Sequence, residues 1–200
     1  MNYPNKKVVS NSKPIIYSNR GMNLEDDINI TNKYYLENDI AIIYKKPTPI
    51  KVVKVDYNNR INTKIKEAYY EIPSTTDYNG IYKGKYIDFD AKETRSKTSF
   101  PLSNIHAHQI RHLISVERHG GISFLIISFV VLNEVYLLET RYIKEFIDNN
   151  ERKSIPYEYI KTHGYLLRQN YYPRIEYIEI LDNIINKYNK KGGSNNEKVN

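Results

Sequence analysis

The apolar residues of this chain recur in two rhythms, and the switches between them mark its elements. Leu24, Ile28 and Tyr35 fall roughly on one helical face behind Asn23, a good N-cap, with Asp26 and Asp27 in the first turn, which predicts a helix from about 23 to 36. Asp39 to Tyr44 predicts a buried strand. Ser103 can cap a helix from about 104 to 117 that carries Ile105, Ile110, Leu113, Ile114 and Val116, and Gly120-Gly121 ends it. Ile122 to Leu132 is the most apolar run and is rich in β-branched and aromatic residues, so it predicts the central buried strand. Asn133-Glu134 then makes a tight connection to a strand from Val135 to Glu139. Short helices are predicted from about Thr140 to Asp148 and from Ser154-Ile155-Pro156 to Gly164. After Pro173, the residues Ile175, Ile178, Leu181, Ile184, Ile185 and Tyr188 predict an amphipathic helix. The order is helix, three strands, helix, two strands, then helices, an α/β pattern.

Two stretches need separate treatment. Residues 45 to 72 contain Pro47-Thr48-Pro49, which cannot continue a central strand, then a Lys/Val alternation from Lys51 to Val55 and a strand-like run from Ile65 to Ile72. Lys45, Lys46, Lys51, Lys54, Arg60, Lys64 and Lys66 outnumber Asp56, Glu67 and Glu71 there. The segment is either an arm leaving the body or a hairpin with a solvated face. Basic side chains interleaved with Tyr69 and Tyr70 suit a phosphate-lined path with bases to stack on.

The second stretch runs from Thr75 to Thr94. In extended backbone Thr75 and Asp77 share a face, as do Asp88, Asp90 and Lys92, while Phe89 and Ala91 point the other way into a core. Crowding carboxylates and a lysine onto one face of a strand works against stability, and such conflicts are expected at functional sites.

Composition narrows the partners. The chain has 200 residues, which suits one domain, and 30 Lys and Arg against 23 Asp and Glu, for a formal charge of +7. A basic balance of this size points to nucleic acid first and anionic membrane second. No apolar run approaches the ~18 residues of a membrane span, and the polar N-terminus predicts no secretory signal. With no cysteine, disulfides and thiolate metal sites are excluded, and a cytoplasmic location is the simplest expectation. Residues 1 to 18 are expected to form a mobile basic arm, with Arg20 just beyond it, residues 19 to 188 the folded domain, and residues 189 to 200 a disordered tail.

Asp77 and Asp90, brought together where adjacent strands diverge, offer hard oxygen ligands for Mg²⁺, or Mn²⁺ in its place, with the Thr75 hydroxyl as a further donor. Lys92 on the Asp90 face would hold an ammonium beside the ion, to position water and neutralise charge on a phosphate. Phosphodiester hydrolysis needs such a set. Glu25 and Gln109, each in the first turns of a helix, are the other polar residues placed to reach it, although a first-turn Glu also complements the helix dipole. His106, His108, His112 and His119 allow a competing zinc reading, but the Glu of an HExxH motif is missing.

The longer motifs carry a resemblance. Asn19-Arg20-Gly21-Met22-Asn23-Leu24-Glu25, Pro49-Ile50-Lys51-Val52-Val53-Lys54-Val55-Asp56-Tyr57, Ser74-Thr75-Thr76-Asp77-Tyr78-Asn79-Gly80, and Asp88-Phe89-Asp90-Ala91-Lys92-Glu93-Thr94 with Ser99-Phe100-Pro101-Leu102 resemble the RecU family of Holliday junction resolvases, within the PD-(D/E)xK nucleases. The resemblance implies a restriction-endonuclease-like mixed sheet flanked by helices, with residues 45 to 72 forming a protruding hairpin stalk that enters the junction. It implies a dimeric, Mg²⁺-dependent endonuclease making paired nicks in four-way DNA junctions, with RecA and a branch-migration helicase as partners. Thr75, Asp77, Asp90 and Gln109 become the metal site and Lys92 the transition-state stabiliser. Arg20, Arg60, Lys64, Lys66 and Tyr69 become candidate DNA contacts. The chain departs from the family at Asp90, where Glu is usual. Two alternatives stand beside this reading: a nuclease of the same superfamily acting on duplex DNA, and a catalytically silent protein that binds junctions or anneals strands.

Overall fold

Asn23 accepts the Asp26 N–H at 2.8 Å and starts helix α1 (Leu24–Glu37), whose first turn holds Glu25, Asp26 and Asp27 where the helix dipole favours negative charge. The computed structural model describes residues 23–56, 64–71 and 75–193, the last five by main chain alone. After α1 come strand β1 (Ile42–Lys45) and the hairpin of β2 (Ile50–Asp56) and β3 (Lys64–Tyr70). Strands β4 (Tyr78–Tyr82) and β5 (Lys85–Thr94) form a second hairpin, which turns at Lys83-Gly84, both with positive φ. A short β6 (Ser99–Pro101) precedes helix α2 (Ala107–Arg118), and β7 (Ile122–Phe129) and β8 (Glu134–Glu139) follow. Helix α3 (Thr140–Asn149), β9 (Ser154–Pro156), α4 (Tyr157–His163), β10 (Tyr165–Leu166), β11 (Arg168–Gln169), β12 (Ile175–Glu176) and helix α5 (Ile178–Gly193) complete the order.

The central sheet has the strand order β1-β4-β5-β7-β8-β10. Only β5 and β7 are parallel, and parallel neighbours need a long crossover, which α2 supplies. Strand β7 is apolar on both faces because it separates two cores. Phe124 and Ile126 join Ile87, Phe89 and Ala91 under α1 and α5, whereas Leu125, Ile127 and Phe129 pack with Leu113 of α2 and Phe146 of α3. On the first face Tyr78, Phe89 and Phe124 stack across three adjacent strands, with ring centroids 4.8 and 4.7 Å apart. This ladder fixes the register of β4, β5 and β7, and therefore of whatever they carry on the opposite face. Gly80 permits the close approach of β1, since a Cβ there would lie 2.0 Å from the Ile42 carbonyl oxygen.

Several boundaries differ from the sequence pattern. Asp39 to Tyr44 reads as a buried strand, but β1 is a sheet edge on which only Ile43 is buried; Ile42 and Tyr44 face out. Ser103 does not cap α2. It lies in a 3₁₀ turn (Leu102–Asn104), and the helix starts after His106, with the Gln109 side chain accepting the His106 N–H at 3.0 Å. Ser154-Ile155-Pro156 pairs with β6 as a strand, and the helix begins at Tyr157. Ile175 belongs to β12, so the last helix starts at Ile178 and continues to Gly193, past residue 188. In the last two cases a short strand pairing takes residues whose apolar side chains suit either element. No helix among the described residues is long and apolar enough to cross a membrane.

Candidate active site

Alternation along β5 buries Ile87, Phe89 and Ala91 on the α1/α5 side and places Asp88, Asp90 and Lys92 on the side of α2. Asp77 is the residue immediately before β4. Because Tyr78 pairs with Phe89, Asp77 comes level with Asp90 on the neighbouring strand. The Lys92 ammonium lies 3.0 Å from Asp90 Oδ1 and 3.7 Å from Asp77 Oδ2, so the three side chains form one cluster. Asp90 is fully buried. Its Oδ1 also accepts the Ala91 N–H at 3.0 Å, but no protein N–H or O–H among the described residues donates to its buried Oδ2.

Two carboxylates facing each other in a buried position cannot both carry their charge cheaply. Burial pushes the Asp90 carboxyl up, and the facing Asp77 carboxylate adds to the rise. Burial acts the same way on Asp77, but the Asp90 carboxyl as a donor, with the Lys92 and Lys45 ammonium groups, holds it below the ordinary range. The pair is therefore arranged to share one positive partner, either a proton or a cation.

Asp88, two residues away on the same face and equally buried, has a different environment. The Thr76 hydroxyl donates to its Oδ1, and Lys46 Nζ at 3.0 Å, the Tyr86 hydroxyl at 2.9 Å and His112 Nε2 at 3.1 Å converge on its Oδ2. This carboxylate is saturated with protein donors and has little capacity left for a ligand.

The other predicted residues divide. Gln109 is buried on α2, one turn before His112 and on the helix face turned to β5; its Oε1 accepts one N–H and keeps a second lone pair. Thr75 is exposed, with Lys46 Nζ 3.4 Å from its hydroxyl. Glu25 is drawn into an ion pair with Lys45 at the rim, and Lys45 in turn feels Asp77. Lys64, Lys66 and Tyr69 are all exposed on β3; Lys66 pairs with Asp56 at 2.6 Å, and the Tyr69 hydroxyl donates to Glu67 at 2.8 Å. Arg20 and Arg60 lie outside the described residues. The histidines do not gather: His112 serves Asp88, while the rings of His106 and His108 stack at 5.5 Å.

Sequence reasoning missed Lys46, Thr76 and His112 as parts of the site. Lys46 is one lysine among many in a basic segment, and only its place beside Pro47, where the chain leaves the sheet, sets it apart. Among the described residues no group of three or more His, Cys, Asp or Glu side chains is arranged to hold a metal ion. The donor set nevertheless fits Mg²⁺, which is bound by one or two carboxylates and keeps waters and phosphate oxygens for the rest. The undonated, buried Asp90 Oδ2 is the oxygen such an ion would take up.

A family model described as "RecU: Recombination protein U" matches residues 19–183. The Holliday junction resolvase RecU of Geobacillus kaustophilus (strain HTA426) is 51% identical over 194 residues, covering 92% of this chain and 97% of that one. The Holliday junction resolvase RecU of Bacillus cereus (strain G9842) is 56% identical over 171 residues, with 84% and 86% covered. Among solved structures, Hjc, a Holliday junction resolvase of Archaeoglobus fulgidus, shares 9% identity at a TM-score of 0.42, over 71% of this chain and 92% of that one. The family match takes in every element from α1 to the first turns of α5, including both carboxylates, Lys92 and Gln109, and the chain belongs to the RecU family.

Proposed function

We propose that the protein is a structure-specific endonuclease that resolves four-way DNA junctions by metal-dependent paired nicking, in recombination and repair on cytoplasmic DNA. The observation that carries the reading is the facing pair of Asp77 and Asp90, with one buried oxygen undonated and the Lys92 ammonium against both. Mg²⁺, or Mn²⁺ in its place, supplies Lewis acidity toward the scissile phosphate and lowers the pKa of an attacking water.

The chain's own residues do the remainder. Asp77 and Asp90 offer the anionic oxygens that hold the cation, and the Thr75 hydroxyl and the free lone pair of Gln109 Oε1 complete a hard donor set. Lys92, held by two carboxylates before the substrate arrives, is preorganised to meet the charge that grows on the phosphate oxygens. Glu25 stays a candidate at the rim of the site, where it ion-pairs with Lys45. Asp90 in place of the longer Glu keeps the carboxylate close to its strand, which suits a partner as near as Asp77.

Substrate choice is assigned to the hairpin β2–β3. Its strands pair with each other in a sheet of their own and are exposed along most of their length. Lys64, Lys66 and Tyr69 on it, with Arg20 and Arg60, are the proposed contacts to junction phosphates and unstacked bases. Two opposed nicks need two sites related by a twofold axis, so a C2 homodimer matches the symmetry of the substrate. RecA and a branch-migration helicase are the proposed recombination partners.

The test is incubation with a synthetic four-way junction and a matched linear duplex, in Mg²⁺ and in EDTA. Cleavage of the junction alone, and only with Mg²⁺, is the expected result. Equal cutting of the duplex would favour a general DNA endonuclease, and binding with no metal-dependent cut would remove the enzymatic reading.

A further inference from the structure

The two legs of the hairpin meet the catalytic cluster at one point. The outgoing leg leaves β1 through Lys46, and the returning leg enters β4 through Thr75, Thr76 and Asp77. The Lys46 N–H donates to the Asp77 carbonyl at 2.8 Å, and higher up the Glu71 N–H donates to Pro49 at 3.1 Å. Lys46 Nζ then reaches Thr76 Oγ1 and Asp88 Oδ2, and Thr76 donates to Asp88 Oδ1. Thr76 and Asp88 are both fully buried. One buried carboxylate thus receives donors from the outgoing leg, the returning leg, its own strand through Tyr86 and helix α2 through His112.

A charged side chain in the middle of a buried strand is costly unless it is paired and hydrogen-bonded, as Asp88 is. Here it holds the neighbours of each proposed cation ligand. Thr76 adjoins Asp77, Asp88 is two residues from Asp90, and His112 is one turn from Gln109. Asp77 itself lies on a bend one residue ahead of β4, just past the end of the ladder that brings it level with Asp90, and its carbonyl accepts the Lys46 N–H.

We infer that Lys46, Thr76 and Asp88 form a clasp that positions Asp77 against Asp90 and makes cation affinity at the pair depend on how the hairpin leg is seated. None of the three touches the scissile phosphate; they are positioning residues, and the inference rests on the cation-site reading above. Coupling of this kind is reciprocal: whatever moves the leg changes the ion site, and the ion stiffens the seat of the hairpin.

Asp88 variants could simply fail to fold, so the test uses Thr76→Val, which keeps the shape and removes the donor, Lys46→Met, and Thr76→Ser as the conservative control. DNA-free protein is titrated calorimetrically with Mg²⁺, thermal unfolding confirms that each variant is folded, and junction binding is read by anisotropy in EDTA. Thr76→Val and Lys46→Met should weaken Mg²⁺ binding by about tenfold, the usual size of such supporting contacts. Thr76→Ser should match the parent, and junction binding in EDTA should be kept in Thr76→Val. Unchanged Mg²⁺ affinity in Thr76→Val, or a Thr76→Ser protein as weak as Thr76→Val, overturns the clasp; unchanged affinity in Lys46→Met overturns its link to the hairpin. If the parent shows no saturable Mg²⁺ binding, or Asp77→Asn binds Mg²⁺ equally well, the cation-site reading fails and takes the inference with it.

Discussion

Asp88 and Asp90 are the same residue type, equally buried, on one face of one strand, and they differ in what donates to them. Four side-chain donors saturate Asp88, whereas Asp90 keeps an oxygen to which no group among the described residues donates. Lys92→Ala should lower junction cleavage by a factor of about 10² to 10³, the usual cost of losing one preorganised charge partner, while leaving junction affinity nearly unchanged. Single-turnover cleavage and anisotropy separate the two effects, and normal cutting by the variant would remove Lys92 from the mechanism. Away from the site, burial pushes the Glu117 carboxyl up to about 7, opposed by the Arg141 N–H and helped by the Glu139 charge. The native state then holds a proton that the unfolded chain releases from about pH 4.5 upward, so this group's contribution to stability falls as pH rises through that window to about 7. Glu117→Gln should therefore lose less melting temperature between pH 5 and 8 than the parent does; parallel profiles would contradict the assignment. The shared face of Asp88, Asp90 and Lys92 was legible in the sequence because strand alternation fixes it. What separates Asp88 from Asp90 was not, since the Thr76, His112 and Lys46 donors lie 12, 24 and 42 positions from Asp88.

At the scale of elements, the aromatic ladder of Tyr78, Phe89 and Phe124 and the polar cluster occupy opposite faces of the same strands, so packing on one side sets the geometry of the other. Hydrophobic rhythm showed the long elements well: α1, β7, β8 and α3 fall close to where the pattern puts them. It failed where short strands claimed apolar residues, as at Ile155 and Ile175, because a bridge of two or three residues has no rhythm to read. The segment was legible as basic, tyrosine-bearing and bounded by prolines, and β2 and β3 pair as a two-stranded antiparallel ladder, from Ile50 with Tyr70 to Asp56 with Lys64. Substituting Lys64 and Lys66 by Ala should weaken junction binding and flatten its dependence on salt by about 0.9 log units per log salt for each phosphate no longer neutralised. Binding isotherms across a salt series measure this directly. An unchanged slope would place these lysines off the DNA.

Over the whole molecule, a net charge of +7 favours a polyanionic partner without saying which one. In the proposed reading, membership of the RecU family and the carboxylate pair narrow that partner to junction DNA that is cut rather than merely held. The proposed twofold dimer would present two such pairs, and the account stands on both acting on opposed strands. The most direct measurement labels each of the four strands of a synthetic junction in turn and maps the cuts made in Mg²⁺ by the parent protein and by Asp77→Asn. The account predicts paired nicks at symmetry-related positions on two opposed strands, and none from the variant. Cuts confined to one strand or to adjacent strands, or equal cutting by Asp77→Asn, would contradict it.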